Sequence, residues 1–320
     1  MRIGMLSWES LYSIKVGGVA PHVSELSEAL ARRGHEVHIF TRRGDFESYD
    51  KINGVHYQRA DVDDHGDIVD QMNRMCDALY HRFGAVQQLF GNFDVVHGHD
   101  WHPVLALTRI KSDYHLPFLL TMHSTEWGRN GNTFGYGISE EISHREWQGC
   151  YEAAKVIVTT RRMQDELMQI YSLPKDKIPI IPNGIIVGKM RRGVDAGRIK
   201  EKYGIHPLAP VVLFCGRMSV QKGPDLLVEA IPNVLRNRPD VCFVFIGEGG
   251  MRSECEQKAR YLGVADSCRF LGYTSSADKQ MLINACDMMC VPSRNEPFGV
   301  VVLEAWDACK PVVATDAVSI

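Results

Sequence analysis

"KVGGVAPHVSELSEAL", residues 15–30, decides how the chain is to be read. Before it stands "RIGMLSW", a short apolar run with the look of a buried strand. From Pro21 to Arg32 the residues Val23, Leu26, Ala29 and Leu30 fall on one helical face. Gly17 and Gly18 therefore occupy a turn between a strand and a helix N-terminus. In an α/β sheet that turn commonly presents backbone N–H groups to an anion, and Lys15 would add positive charge there. The alternative is a tight turn with its lysine in solvent.

The rest of the chain repeats the pattern. In the first half "EVHIFT", "VHYQRA", "DVVHGH", "PFLLTMH", "KVIVTT" and "IPIIPN" read as strands, with helical patterns between most of them, one running from about Gly66 to Phe90. These runs are short, β-branched and mostly apolar on both faces, as in a parallel sheet covered by helices. Apolar periodicity then fails over residues 188–210, where "GKMRRGVDAG" is basic and glycine-rich, so a linker carrying a short helix is expected. A second alternation follows: "VVLFCGR", a helix over 225–237, "VCFVFIG", a helix over 252–262, "CRFLGYT", a helix over 277–285, "MMCVPS" and "KPVVAT". The expected fold class is α/β, with two doubly wound Rossmann-like domains, 1–187 and 211–320, facing across a cleft where ligands bind at strand C-termini. A compact domain rarely ends just after a buried strand, so the second domain is expected to be truncated.

Composition sets the bounds. With 320 residues, 45% of them hydrophobic and 23% charged, the chain can bury two ordinary cores. A net charge of −3 gives no general attraction to nucleic acid or acidic membranes, so neither is expected as a partner. The apolar runs are strand-length and too short to span a bilayer. The nine cysteines sit among apolar neighbours without C-x-x-C pairs, as reduced, buried thiols. Beginning directly on a strand, the chain is expected to be cytoplasmic.

Two stretches carry the sharpest chemistry. "CGRMSVQKGPD" sets Arg217 and Lys222 after a strand and before a helix beginning near Pro224, so that two cations and a helix N-terminus suit a diphosphate. The alternative is solvated surface charge. In "PSRNEPFGVVVLEAWDACKPVVAT" strand propensity favours "FGVVVL", but a parallel crossover before "PVVAT" requires a helix beginning near Gly299. Glu296 then precedes that helix and Glu304 lies about two turns inside it. A carboxylate buried in that helix, Glu304, needs a partner: ligand hydroxyls, or alternatively a salt bridge to Arg217 or Lys222.

G-R-x4-K-G followed by E-P-F-G-x4-E resembles the nucleotide-sugar half of the two-domain, retaining glycosyltransferases of families 4 and 5, the GT-B architecture. "FIGEGGMRSECEQKARYLGV" and "RFLGYT" are similar to that family's intervening stretch. "KVGGV" resembles the lysine-glycine-glycine loop of glycogen and starch synthases, "DVVHGHDWH" their acceptor-side stretch, and "TMHSTEWGR" the position of their donor-sugar histidine. The resemblance implies that Lys15, Gly17 and Gly18 face the diphosphate, and that Arg217 and Lys222 neutralise it as it leaves, without a metal or other cofactor. It implies further that Glu296 and His123 contact the donor sugar, that backbone amides around Phe298, Gly299 and Val300 meet sugar or phosphate, and that Glu304 holds the ribose. Tyr273 and Thr274 would lie by the base, and His99, Asp100 and Trp101 on the acceptor side. The implied partners are ADP- or UDP-glucose and an α-1,4-glucan. A small sugar or surface glycan acceptor, as in trehalose- or sucrose-forming relatives, and a non-catalytic nucleotide-sugar-binding fragment are the alternatives.

Other readings fit less well. His97, His99 and His102 end a strand and enter a helix with no carboxylate or cysteine set to complete a metal site. Neither "KVGGV" nor "GEGGM" completes the G-x-G-x-x-G of a nicotinamide enzyme. Donor base, acceptor and oligomeric state are not legible in the sequence.

Overall fold

The computed structural model describes residues 1–318, so the last two residues of the "DAVSI" segment lie outside the described residues. The chain forms two compact units, Met1–Pro182 and a second that begins at Asn183.

In the first unit β1 (Arg2–Leu6), α1 (Val19–Arg32), β2 (Glu36–Arg42), β3 (Tyr49–Ile52), β4 (Val55–Ala60), α2 (Ile68–Phe90) and β5 (Val95–His99) follow in order. Then come α3 (Val104–Tyr114), β6 (Phe118–Met122), α4 (Glu126–Arg129), α5 (Ile138–Glu152), β7 (Lys155–Val158) and α6 (Arg161–Tyr171). The sheet runs β3-β4-β2-β1-β5-β6-β7, all parallel except β3. Alternating strand residues supply two cores. Ile3, Met5, Val37 and Ile39 pack with Val23 of α1, while Leu6 and Phe40 join Met75, Leu79 and Phe83 of α2. Without β3 the strand order is that of a dinucleotide-binding sheet, and it reverses direction between β1 and β5.

One strand is missing from the sequence reading, and one expected strand needs correction. β3 is an antiparallel hairpin strand closed on β4 by Asn53-Gly54, both at positive φ (51° and 85°), the geometry a two-residue hairpin turn demands. "IPIIPN" is no ladder strand; it touches the sheet through one bridge, Ile180 to Val158.

The second unit contains α7 (Ala196–Lys202), β8 (Val211–Cys215), α8 (Pro224–Leu235), β9 (Cys242–Ile246), α9 (Arg252–Tyr261), β10 (Cys268–Gly272), α10 (Ser276–Ala285), β11 (Met288–Val291), α11 (Val300–Asp307) and β12 (Val312–Ala314). Its parallel sheet runs β10-β9-β8-β11-β12 and reverses direction between β8 and β11. Phe214, Phe243 and Phe245 bury one face with α8, and Leu213, Val244 and Met289 the other with α10 and α11. The helix starting beside Gly299 is formed, so the crossover requirement outweighs the strand propensity of "VVVL".

The stretch expected as a linker is bound into this unit. The Asp307 carboxylate accepts the backbone N–H groups of Gly188 (2.6 Å) and Met190 (2.7 Å). Lys200, 7% exposed, donates to the Ala209 carbonyl (2.8 Å) and to Asp287 (3.1 Å). Among the described residues no helix is long and apolar enough to cross a membrane.

Candidate active site

Both clusters of chemistry-bearing residues lie just beyond the strand C-termini at which each sheet reverses, where open α/β sheets take ligands. In the first unit these are the ends of β1, β5 and β6; in the second, the ends of β8 and β11.

After β1 the chain loops from Ser7 to Gly18. Glu9, 1% exposed, turns back so that one carboxylate oxygen accepts the N–H groups of both Val16 and Gly17, each at 2.6 Å. Burial raises the Glu9 carboxyl above its usual range, and the two N–H donors oppose the shift. The Gly17 amide that the sequence offered to an external anion thus holds an internal one, together with the Val16 amide. Gly18 differs. Its φ of −73° and ψ of −16° suit any residue, and a Cβ there would meet nothing within 4 Å. Neither conformation nor packing within the first unit explains why this position is bare. Lys15 is exposed beside it.

The end of β5 puts His99, Asp100 and Trp101 largely inside the protein. Trp101, 4% exposed, is part of the core and stacks on His102, which in turn stacks on Trp8. Asp100, 4% exposed with φ +57°, accepts the backbone N–H of His123 at 2.7 Å. Burial pushes its carboxyl up to about 6. Its visible role is thus to fix the turn that carries His123. The same turn is braced by α4, where Arg129 binds Glu126 (2.9 Å) and the fully buried Glu146 (2.7 Å), and Glu146 also accepts the Tyr171 hydroxyl (2.6 Å).

Three imidazoles converge here. His99 Nδ1 and His123 Nε2 are 3.2 Å apart, and the His22 ring of α1 lies edge-on to both, with centroids at 5.4 and 4.6 Å. Burial lowers all three, His22 and His123 to about 3 and His99 well below its usual value, which favours the neutral ring in each. His22 escaped sequence reasoning because it stands 77 and 101 residues from its partners, on a helix whose apolar face claimed attention.

In the second unit the loop after β8 carries Arg217, exposed and without an ion pair among the described residues, and then Lys222. Lys222 Nζ lies 2.8 and 2.7 Å from the two carboxylate oxygens of Glu296, which is 6% exposed and also accepts the Ser293 hydroxyl at 3.1 Å. Gly223, at φ +62°, lets this loop press on the loop after β11. A Cβ there would collide with the Pro292 carbonyl. Arg294 clamps the same two loops, bidentate on Asp225 at 2.8 and 2.6 Å. Phe298 and Gly299 are buried, and Val300 opens α11 with its amide in the first turn. Glu304 pairs with Lys279 of α10 at 2.6 Å, not with Arg217 or Lys222 as the salt-bridge alternative supposed. Tyr273 is 78% exposed, and its backbone N–H is held by Glu248 at 3.1 Å.

Comparison with known proteins decides the family. Residues 16–188 match the model of Glycosyltransferase Family 4, and residues 195–320 that of Glycosyl transferases group 1. The chain belongs to glycosyltransferase family 4. An uncharacterized glycosyltransferase of Methanocaldococcus jannaschii is 32% identical over 98% of this chain and 80% of its own length. The glycogen synthase of Mycobacterium tuberculosis is 30% identical over 99% and 78%. Among solved structures, Anabaena HepE in complex with UDP and glucose superposes with a TM-score of 0.75 at 20% identity, over 99% of this chain and 81% of that one. The fold of this glycosyltransferase is therefore GT-B, with two Rossmann-like domains.

Proposed function

We propose that this glycosyltransferase moves a glucosyl unit from ADP- or UDP-glucose to an α-1,4-glucan, with retention of anomeric configuration and without a metal ion, in the cytoplasm. The observation that carries the reading is the end of β8, where Arg217, without an ion pair among the described residues, and a carboxylate-held Lys222 stand at the switch point of a nucleotide-binding type of sheet. Two preset cations suit a diphosphate, and the glycogen synthase relative supports a glucan acceptor.

The chemistry is electrostatic. As the glycosidic bond breaks, the sugar ring gains positive charge and the β-phosphate negative charge. Arg217 and Lys222 stabilise the second, and such preorganised groups are worth about 3–4 kcal/mol each. Glu296 holds Lys222 in place and meets the sugar hydroxyls. The amides around Phe298, Gly299 and Val300 meet sugar or phosphate, and Glu304 takes the ribose. Tyr273 and Thr274 lie by the base. From the first unit, Lys15 and the bare backbone of Gly17 and Gly18 approach the diphosphate, and His123 approaches the reacting sugar. His99, Asp100 and Trp101 support the acceptor side. Attack comes from the face the phosphate leaves, with the phosphate itself taking the acceptor proton.

The test is a panel of ADP- and UDP-glucose with glycogen, maltose, monosaccharides or buffer, read as nucleotide diphosphate release. Release that rises with glycogen supports the reading. Release driven by a monosaccharide instead favours the trehalose- or sucrose-forming type. Binding of the donor without release under any condition leaves a nucleotide-sugar-binding module.

A further inference from the structure

The His22, His99 and His123 cluster carries more polar capacity than the first unit uses. Each ring offers one nitrogen, and these nitrogens lie within 4.8 Å of one another. The His99–His123 contact of 3.2 Å uses one nitrogen of each ring. Nε2 of His22 is buried and has no hydrogen-bond partner among the described residues. Unpaired buried ring nitrogens are uncommon in native proteins and call for a ligand. Two imidazole nitrogens 3.2 Å apart are also near the separation imposed by a shared tetrahedral ion with bonds of about 2.0–2.1 Å.

We propose that His22, His99 and His123 form a tris-imidazole site for a transition-metal ion of the Zn2+ class, and that its occupation shuts the enzyme off. Three neutral imidazoles are a borderline-soft donor set that takes Zn2+ or Co2+ and leaves a fourth position open. Mg2+ prefers carboxylate, phosphate and water oxygens and gains nothing from this set, so the site is no counterpart of a catalytic magnesium. The three ligands come from three elements: the first turn of α1, the end of β5 and the turn after β6. Asp100, bonded to the His123 backbone, fixes the third of them and places a carboxylate beside the cluster. A bound ion would pin His123 and occupy the ring nitrogen it offers. The inhibitory half of the proposal rests on the placement of His123 at the donor sugar; the binding half does not.

The experiment titrates the full chain with Co2+ in metal-free buffer near neutral pH and reads the visible bands of a four-coordinate ion. The expected result is saturation at one equivalent, displacement by Zn2+, and a rise in melting temperature with Zn2+. His22→Ala and His22→Gln should each weaken binding about 100-fold or more while keeping the wild-type circular dichroism. X-ray absorption on the Zn2+-loaded wild type, which needs no variant, should count three imidazole nitrogens. Absence of saturable binding, fewer than three imidazoles, or binding that survives in His22→Gln overturns the site. So does binding that disappears instead in His65→Ala, at the exposed Asp63-Asp64-His65 loop, or in His38→Ala, at the Glu36-His38-His56 group. Zn2+ that binds at the cluster without slowing sugar transfer overturns the inhibitory half and, with it, the placement of His123. A chain that transfers no sugar from any donor, yet binds Co2+ as described, fails the proposed function and keeps the metal site.

Discussion

Lys222 and Glu296, 74 positions apart in sequence, meet with the ammonium 2.8 and 2.7 Å from the two carboxylate oxygens. Sequence reasoning gave these side chains different ligands, phosphate for one and sugar for the other. Their pairing makes each the other's positioning device and lets a buried carboxylate and a nearby cation stand ready together.

Removing one partner should therefore do more than remove one charge. Lys222→Met leaves Glu296, 6% exposed, with Ser293 as its remaining side-chain partner among the described residues and should destabilise the fold by about 1–3 kcal/mol. Adding Glu296→Gln should recover part of that loss, so thermal melts of the two single variants and the double variant should be clearly non-additive. Additive losses would mean that the pair carries no coupling.

Gly18→Ala separates folding from function. The backbone there suits alanine and a methyl group meets nothing, so stability should hold or rise by about 0.4–1 kcal/mol. Donor approach is another matter, and kcat/KM should fall about ten- to a hundredfold. An alanine variant with unchanged kcat/KM would remove the loop from the donor site.

Much of this was legible and some was not, for physical reasons. Both sheets announced themselves because most parallel strands carry apolar residues on two faces and most crossover helices have one apolar stripe. β3 did not, because "YDKI" is largely exposed and its one strong signal, Asn53-Gly54, is a turn. The Arg217–Lys222 loop and the Glu296–Glu304 stretch could be placed from local spacing alone. Partners set by tertiary folding could not: Glu9 with the Val16 and Gly17 amides, His22 with His99 and His123, and Lys279 with Glu304. Trp101 illustrates the opposite limit. Its neighbours in "HGHDWH" suggested a ligand surface, while its ring lies in the core.

Glu304 has an internal partner in Lys279 and an expected external one in the ribose. Glu304→Gln should weaken nucleotide diphosphate binding about tenfold or more, the scale of one hydrogen bond to a charged group. A 2′,3′-dideoxy nucleotide should feel much less of the change. Equal losses in calorimetry for both ligands would leave Glu304 serving Lys279 alone.

A pH-dependent contribution to stability lies away from the site. Arg2 grips Glu36 through two 2.9 Å hydrogen bonds and holds its carboxyl down at about 2. A folded value below the unfolded one stabilises above the ordinary carboxylate range and is lost as pH falls toward that value. The pair is partly exposed, so its contribution at neutral pH is about 1 kcal/mol or less. Glu36→Gln should melt below wild type at neutral pH, with the gap closing on acidification. A gap that widens in acid would reverse the sign.

The central claim is that Arg217 and Lys222 carry the load a metal carries elsewhere, and turnover in EDTA tests it most directly. Glucosyl transfer to glycogen should be the same with EDTA, magnesium or manganese. Arg217→Ala and Lys222→Ala should each lower kcat by about 100- to 1,000-fold while donor affinity, measured separately, changes far less. Activity abolished by EDTA and restored by magnesium or manganese, or cation variants that lose donor binding while keeping kcat, would contradict the account.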